Sequence, residues 1–196
     1  MWREEEYPSI AQRARAENAK IYWADETGID NCSNCERGFA PKGQPPVLPV
    51  ETKKERLNMI SALTSSGDVR FMLYEDSMNQ QRLIQFMDRL IRTSNQKIFL
   101  ILDNLKVHHG KKAAAWLDRH QDKIELFFLP PYAPESNPDE YLNHTLKLSV
   151  HSGDLPRCKD DIRHKTASFM RTLQHCPDKV SAFFRHNQVS YIFVQK

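Results

Sequence analysis

At 196 residues, 40% of them hydrophobic, the chain can build one sizeable core, burying roughly 70% of the surface its extended form would expose. A net charge of +3 and an isoelectric point near 8.6 permit nucleic-acid binding without demanding it. No stretch approaches the roughly 20 apolar residues of a membrane span, and Met1-Trp2-Arg3-Glu4-Glu5-Glu6 has no apolar signal core; the expectation is a soluble, intracellular, single-domain protein with no membrane partner.

Residues 8–20 read as a short helix with Ile10, Ala11 and Ala14 on one face. A strand over 20–25 follows, Ile21-Tyr22-Trp23-Ala24 closing on Asp25. Residues 26–54 are rich in Gly, Pro, Asn and Cys, which predicts loop with a hairpin around 45–50. Strands over 56–64 and 69–74 are joined by Ser65-Ser66-Gly67-Asp68, suited to an antiparallel hairpin. From 79 to 93, Leu83, Ile84, Phe86, Met87, Leu90 and Ile91 recur at three and four residues, the mark of an amphipathic helix. The run Ile98-Phe99-Leu100-Ile101-Leu102 is a strand buried on both faces, and it closes on Asp103.

A helix over 110–120 with Ala113, Ala114, Trp116 and Leu117 on its buried side and a strand over 123–129 come next. Asn137 is a good N-cap and Pro138 suits the first helical position, so Glu140 falls in a first turn. Residues 155–187 are predominantly helical and read as a cover for the sheet. The order predicts a three-stranded meander feeding two crossover units, the last two strands parallel to the first. The fold class is therefore α/β, a mixed five-stranded sheet flanked by helices.

Carboxylates at the ends of apolar strands need partners. Asp25 and Asp103 lie 78 residues apart, and Glu140 follows 37 residues later, spacings that leave room for the intervening strands and helices. Hard cations take oxygen ligands from separate elements, and three acids can hold two Mg²⁺ ions about 3.5 to 4 Å apart for in-line displacement at phosphorus. Each acid has a plainer reading, Asp103 as a turn residue and Glu140 as half of a capping box with Asn137. Cys32 and Cys35 form a Cys-x-x-Cys pair, but Cys158 and Cys176 stand apart; without a second close pair, a zinc site is not expected even with His164 and His175 in the chain.

The segments Ile21-Tyr22-Trp23-Ala24-Asp25-Glu26-Thr27-Gly28, Leu102-Asp103-Asn104-Leu105-Lys106-Val107-His108-His109 and Leu129-Pro130-Pro131-Tyr132-Ala133-Pro134-Glu135-Ser136-Asn137-Pro138-Asp139-Glu140 resemble the signature blocks of DDE-type insertion-sequence transposases related to the Tc and mariner elements, above all the bacterial IS-six-thirty group. Phe39-Ala40-Pro41-Lys42-Gly43 is similar to that family's Trp-x-x-Lys-Gly region, with Phe39 in place of the Trp. The third block is the most specific. It departs from the pattern at Asp139, where the family carries an aliphatic residue, so that Asp139 and Glu140 compete as the third ligand; the assignment falls on Glu140. The aromatic pair with Trp that usually follows is replaced by Tyr141-Leu142-Asn143-His144.

The resemblance implies an RNase H-like, retroviral integrase-like sheet with Asp25, Asp103 and Glu140 as catalytic, metal-binding triad. It implies Mg²⁺, with Mn²⁺ able to substitute, and cleavage and transfer of DNA strands. DNA-backbone contacts are expected from Asn104, Lys106, His108 and Lys42. One catalytic domain spans 1–196, with a core over about 20–152 and a helical cover over 153–196. The family's helix-turn-helix region is expected to be absent, end recognition falling to a separate polypeptide, and the active form to be a homodimer. The expected compartment is the bacterial cytoplasm, at the nucleoid. A repurposed, catalytically silent nucleic-acid-binding relic and an RNase H-like nuclease are the alternatives.

Overall fold

The computed structural model describes residues 1–31, 41–44, 53–104, 110–131 and 133–193, and of Pro134 the backbone alone. Five strands, β1 (Lys20–Asp30), β2 (Arg56–Leu63), β3 (Val69–Tyr74), β4 (Ile98–Leu102) and β5 (Ile124–Phe128), form one sheet in the order β3-β2-β1-β4-β5. The β1–β2 and β2–β3 pairs are antiparallel, and β1–β4 and β4–β5 parallel, as the meander and crossovers require. Between β2 and β3 the chain reverses at Gly67, whose φ of 101° lies where a side chain would be strained. The expected hairpin at 45–50 and the Cys32–Cys35 pair fall outside the described residues.

Among the described residues six α-helices flank the sheet: α1 (Tyr7–Ala16), α2 (Gln80–Arg92), α3 (Lys111–Asp118), α4 (Pro138–Val150), α5 (Lys159–Gln174) and α6 (Pro177–Ala182). Alternate residues of a strand face opposite sides, and the sheet sorts its neighbours accordingly. Tyr22, Ala24, Ile60, Ala62, Leu100 and Leu102 pack against Leu83, Phe86 and Leu90 of α2 and Ala113 and Trp116 of α3. Trp23, Ile29, Met59, Leu63, Phe99 and Ile101 pack against α1, α4, α5 and α6. Both parallel crossovers thus lie on one face, and the chain's two ends and its last three helices cover the other. Ala114, assigned to the buried side of its helix, is exposed, because α3 faces the core through Ala113, Trp116 and, in part, Leu117.

One boundary differs from expectation in a way that matters. Asp25 does not close β1 but sits in its middle, since the strand runs on to Asp30. The polar stretch Asp25-Glu26-Thr27-Gly28 looks like a loop in isolation. It is held extended because β2 pairs with it residue for residue, Asp25 opposite Ser61 and Asp30 opposite Arg56, satisfying main-chain groups that a local pattern leaves unassigned.

Candidate active site

The parallel ladder between β1 and β4 pairs Lys20 with Ile98 and Trp23 with Ile101. Asp25 and Asp103 each lie two residues past the last pair of this ladder, Asp103 directly after the end of β4, and the charge of Asp103 is felt at Asp25. Asp25 shares its face of the sheet with Trp23, the face that α4 covers. Both acids therefore lie beyond the carboxyl end of the parallel ladder, a position where α/β sheets commonly bind ligands.

The third element arrives on α4. Asn137 caps this helix by accepting from the Asp139 N–H at 3.1 Å, and its Nδ2 donates to the Ala24 carbonyl at 3.0 Å, so the cap also ties the helix start to β1 next to Asp25. A second tie comes from the opposite side. Tyr191 Oη donates to the Ser136 carbonyl at 3.0 Å, and Arg3 Nη2 donates to Ser136 Oγ at 3.0 Å while its guanidinium lies 5.1 Å from the Tyr191 ring. Tyr191 in turn stacks edge-on with Tyr7 and Trp23 at 5.3 and 6.2 Å. Residues from both ends of the chain thus fix the turn that launches α4.

The two adjacent acids of α4 end in opposite environments. Glu140 is exposed. Asp139 is 0% exposed; its Oδ1 accepts from Ser61 Oγ at 2.8 Å, and its Oδ2 has no hydrogen-bond partner. Burial and the nearby Asp25 charge push the Asp139 carboxyl well above the usual carboxylate range, against the hydrogen bond from Ser61. One turn further on, Asn143, 2% exposed, donates from Nδ2 to Asp25 Oδ2 at 2.9 Å.

Asp25 itself is pushed up to about 7, first by burial, then by the charge of Glu140 and, more weakly, that of Asp103; a main-chain hydrogen bond from Glu26 and the Asn143 amide act the other way. The structure therefore brings Asp25, Asp103 and Glu140 into one electrostatic neighbourhood. It does not draw them into a finished cage: among the described residues, no three His, Cys, Asp or Glu side chains are close enough to hold an ion. The donor set is nonetheless what a hard divalent cation requires, all carboxylate oxygen from three separate elements, and a cation there would relieve the repulsion that raises Asp25. Cys158 and Cys176 are free thiols, and Cys32 and Cys35 lie outside the described residues.

Of the other expected contacts, Asn104 is exposed directly beyond Asp103, and Lys42 is exposed in a turn closed by the Gln44 N–H donating to the Pro41 carbonyl at 3.0 Å. Lys106 and His108 lie outside the described residues. On the helical cover, Lys159 and Arg163 are engaged with Glu75 at 3.2 and 2.6 Å. The residues that a reading of the motifs misses are Ser61, Asn143 and the buried role of Asp139. A partial signal existed: Asp139, Leu142, Asn143, Leu146 and Val150 fall at the three- and four-residue spacings of one buried stripe.

The sequence profile described as DDE superfamily endonuclease matches residues 20–163. Among solved structures, the chain is similar to the Mos1 transposase paired-end complex with left transposon end, at 15% identity and a TM-score of 0.65, over 97% of this chain and 61% of that one. It is also similar to the Mos1 mariner paired end complex with Mn, at 15% identity and a TM-score of 0.65, over 97% of this chain and 62% of that one. The catalytic domain of Mos1 mariner transposase matches at 13% identity with a TM-score of 0.61, covering 97% of this chain and 91% of that one. The shared fold is RNase H-like, and the chain spans about three-fifths of the longer transposase chains it matches. No curated protein sequence matches the chain.

Proposed function

Since the chain belongs to the DDE superfamily endonucleases, we propose that it is the catalytic domain of a DNA transposase, cutting DNA strands and joining the freed 3′ ends to target DNA. The observation that supports this reading is that Asp25 and Asp103 each lie two residues past the last pair of the β1–β4 ladder, with the charges of Asp103 and Glu140 both felt at Asp25. Between the two acids of α4, accessibility favours Glu140 as third ligand, because Asp139 is enclosed and already engaged by Ser61.

Asp25, Asp103 and Glu140 are the residues that would hold Mg²⁺ or Mn²⁺, which would supply charge stabilisation at phosphorus and an activated attacking oxygen. Solved structures of Mos1 transposase are described with Mg and with Mn, which supports that choice of ions. The chain's own residues provide three things. β1 and the residue after β4 carry two carboxylates, α4 carries the third at an exposed position, and Trp23 and Ile101 belong to the apolar core of the same face. No residue need form a covalent intermediate, since water and then a 3′-hydroxyl can attack by the same in-line route. DNA ends and target are the proposed partners, with a homodimer as the acting form, a separate polypeptide as the source of end recognition and the bacterial nucleoid as the setting.

The test is nicking of supercoiled plasmid, and transfer of an oligonucleotide carrying a free 3′-hydroxyl, by the purified chain with Mg²⁺ or Mn²⁺. Asp25→Asn, Asp103→Asn and Glu140→Gln are each expected to abolish both reactions. Full activity in Glu140→Gln together with loss in Asp139→Asn would transfer the third position to Asp139. Binding of DNA without any metal-dependent nicking would favour the silent relic.

A further inference from the structure

Asn143 is a buried amide on a helix face that it shares with the apolar Leu142, Leu146 and Val150 and with the buried Asp139. Its two ends are treated unequally. Nδ2 donates to Asp25 Oδ2 at 2.9 Å, while Oδ1 is buried without a partner. With Asp25 ionised, as a metal ligand must be, the amide cannot turn over to relieve its oxygen, because a carboxylate only accepts and the flip would set two acceptors against each other. Stability alone favours an apolar side chain of this size over a buried amide with one end unsatisfied. Three lines therefore meet on one residue: burial, an orientation fixed by Asp25, and an unsatisfied atom that the fold does not compensate.

We propose that Asn143 is a positioning residue for Asp25, fixing one carboxylate oxygen so that the other is presented toward Asp103 and Glu140 in a geometry competent to bind a divalent cation. Carboxylate ligands held by outer hydrogen bonds bind metal about 10- to 100-fold more tightly than the same ligands left free to turn. A carboxylate on β1 has two rotatable bonds; the Glu26 main-chain hydrogen bond and the Asn143 amide both restrain it, and loss of the amide leaves one of the two. The Asn137 link to the Ala24 carbonyl fixes the distance between α4 and β1, which keeps the amide of Asn143 within reach. This inference rests on the reading of Asp25 as a ligand and adds what aims it.

The test uses Mn²⁺ alone, with free ion followed by electron paramagnetic resonance during titration of the purified chain, and thermal melts run in parallel. Asn143→Leu is expected to weaken Mn²⁺ binding about 10-fold with a Tm no lower than that of the wild type. Asn143→Ala, smaller and free of any clash, serves if the leucine variant does not fold, with the same expected loss. Mn²⁺ binding within two-fold of wild type in a folded variant overturns the proposal, as does a lowered Tm with unchanged affinity, the signature of a merely structural role. Asp25→Asn separates the two levels: if wild type binds Mn²⁺ and Asp25→Asn does not, an unaffected Asn143 variant defeats this inference alone. A wild-type chain with no Mn²⁺ binding, or an Asp25→Asn variant that binds as wild type does, defeats the ligand reading and this inference together.

Discussion

The two faces of the sheet are built to different rules. Beneath α2 and α3 the enclosed core of the described residues is mostly aliphatic and aromatic, Leu83, Phe86, Leu90, Ile98 and Leu100 among them, with the hydroxyls of Tyr22 and Tyr74 as polar exceptions. Beneath α1, α4 and α5 an equally apolar core is interrupted by a polar wedge of Asp25, Ser61, Asp139 and Asn143, with two buried atoms left unpartnered. Each unsatisfied buried polar atom costs about 1 to 3 kcal/mol. On the proposed reading the first face carries stability and the second chemistry, and substitutions on the two faces should separate those properties.

The largest expected effect is catalytic. Asp103→Asn should lower DNA strand transfer on the order of 10³-fold or more, while the metal-free protein stays as stable as wild type or becomes more so, since one of the charges repelling Asp25 is gone. Paired single-turnover and thermal-melt measurements check this; a parallel loss of Tm would make Asp103 a structural residue. The mirror experiment lies across the sheet. Phe86→Ala, at a fully enclosed position of α2, should cost about 3 to 5 kcal/mol in urea denaturation while leaving Mn²⁺ affinity of the folded fraction unchanged.

Much of the sheet was legible because its strands are short apolar runs bounded by turn residues, and β3 matches its expected limits. The 78-residue offset between Asp25 and Asp103 is also the offset of the β1–β4 ladder, so the two acids carried their own register in the numbering. What stayed hidden depends on distant partners. Asp25 reads as a strand end until β2 is laid beside it, and the contacts of Ser61 with Asp139 and of Asn143 with Asp25 join positions 78 and 118 residues apart. No local pattern encodes such pairs. The role of Tyr191 was invisible for the same reason, since its target, Ser136, lies 55 residues away.

A subtler contrast comes from pH. In the native metal-free protein the Asp25 carboxyl is raised from 3.8 to about 7, so across that window the native state holds a proton that the unfolded chain has released. Stability must then fall as pH rises from about 4 to about 7, and level off above. The ceiling for a single group is about 4 kcal/mol, and partial solvent access reduces the expected change to the order of 2 kcal/mol. Asp139, also raised, contributes with the same sign. Urea midpoints of chelator-treated protein at pH 5 and pH 8 should show the slope, and Asp25→Asn should flatten it. A slope of equal size in that variant would assign the whole effect to other groups.

The smallest effect tests whether the ends of the chain belong to the site. Tyr191→Phe keeps the ring that packs on Tyr7 and Trp23 and removes only the hydroxyl that donates to the Ser136 carbonyl and accepts from Trp2 Nε1 at 3.2 Å. The loss in global stability should be about 0.5 to 1.5 kcal/mol. If the hydroxyl also steadies the turn before α4, amide hydrogen exchange in the first turn of that helix, at Asp139 and Glu140, should rise more than exchange in α2, which the tyrosine does not touch. Uniform acceleration across both helices would instead mean that the hydroxyl supports the fold as a whole, and that Asn137, through Ala24, sets the entry of α4 without help from the chain's ends.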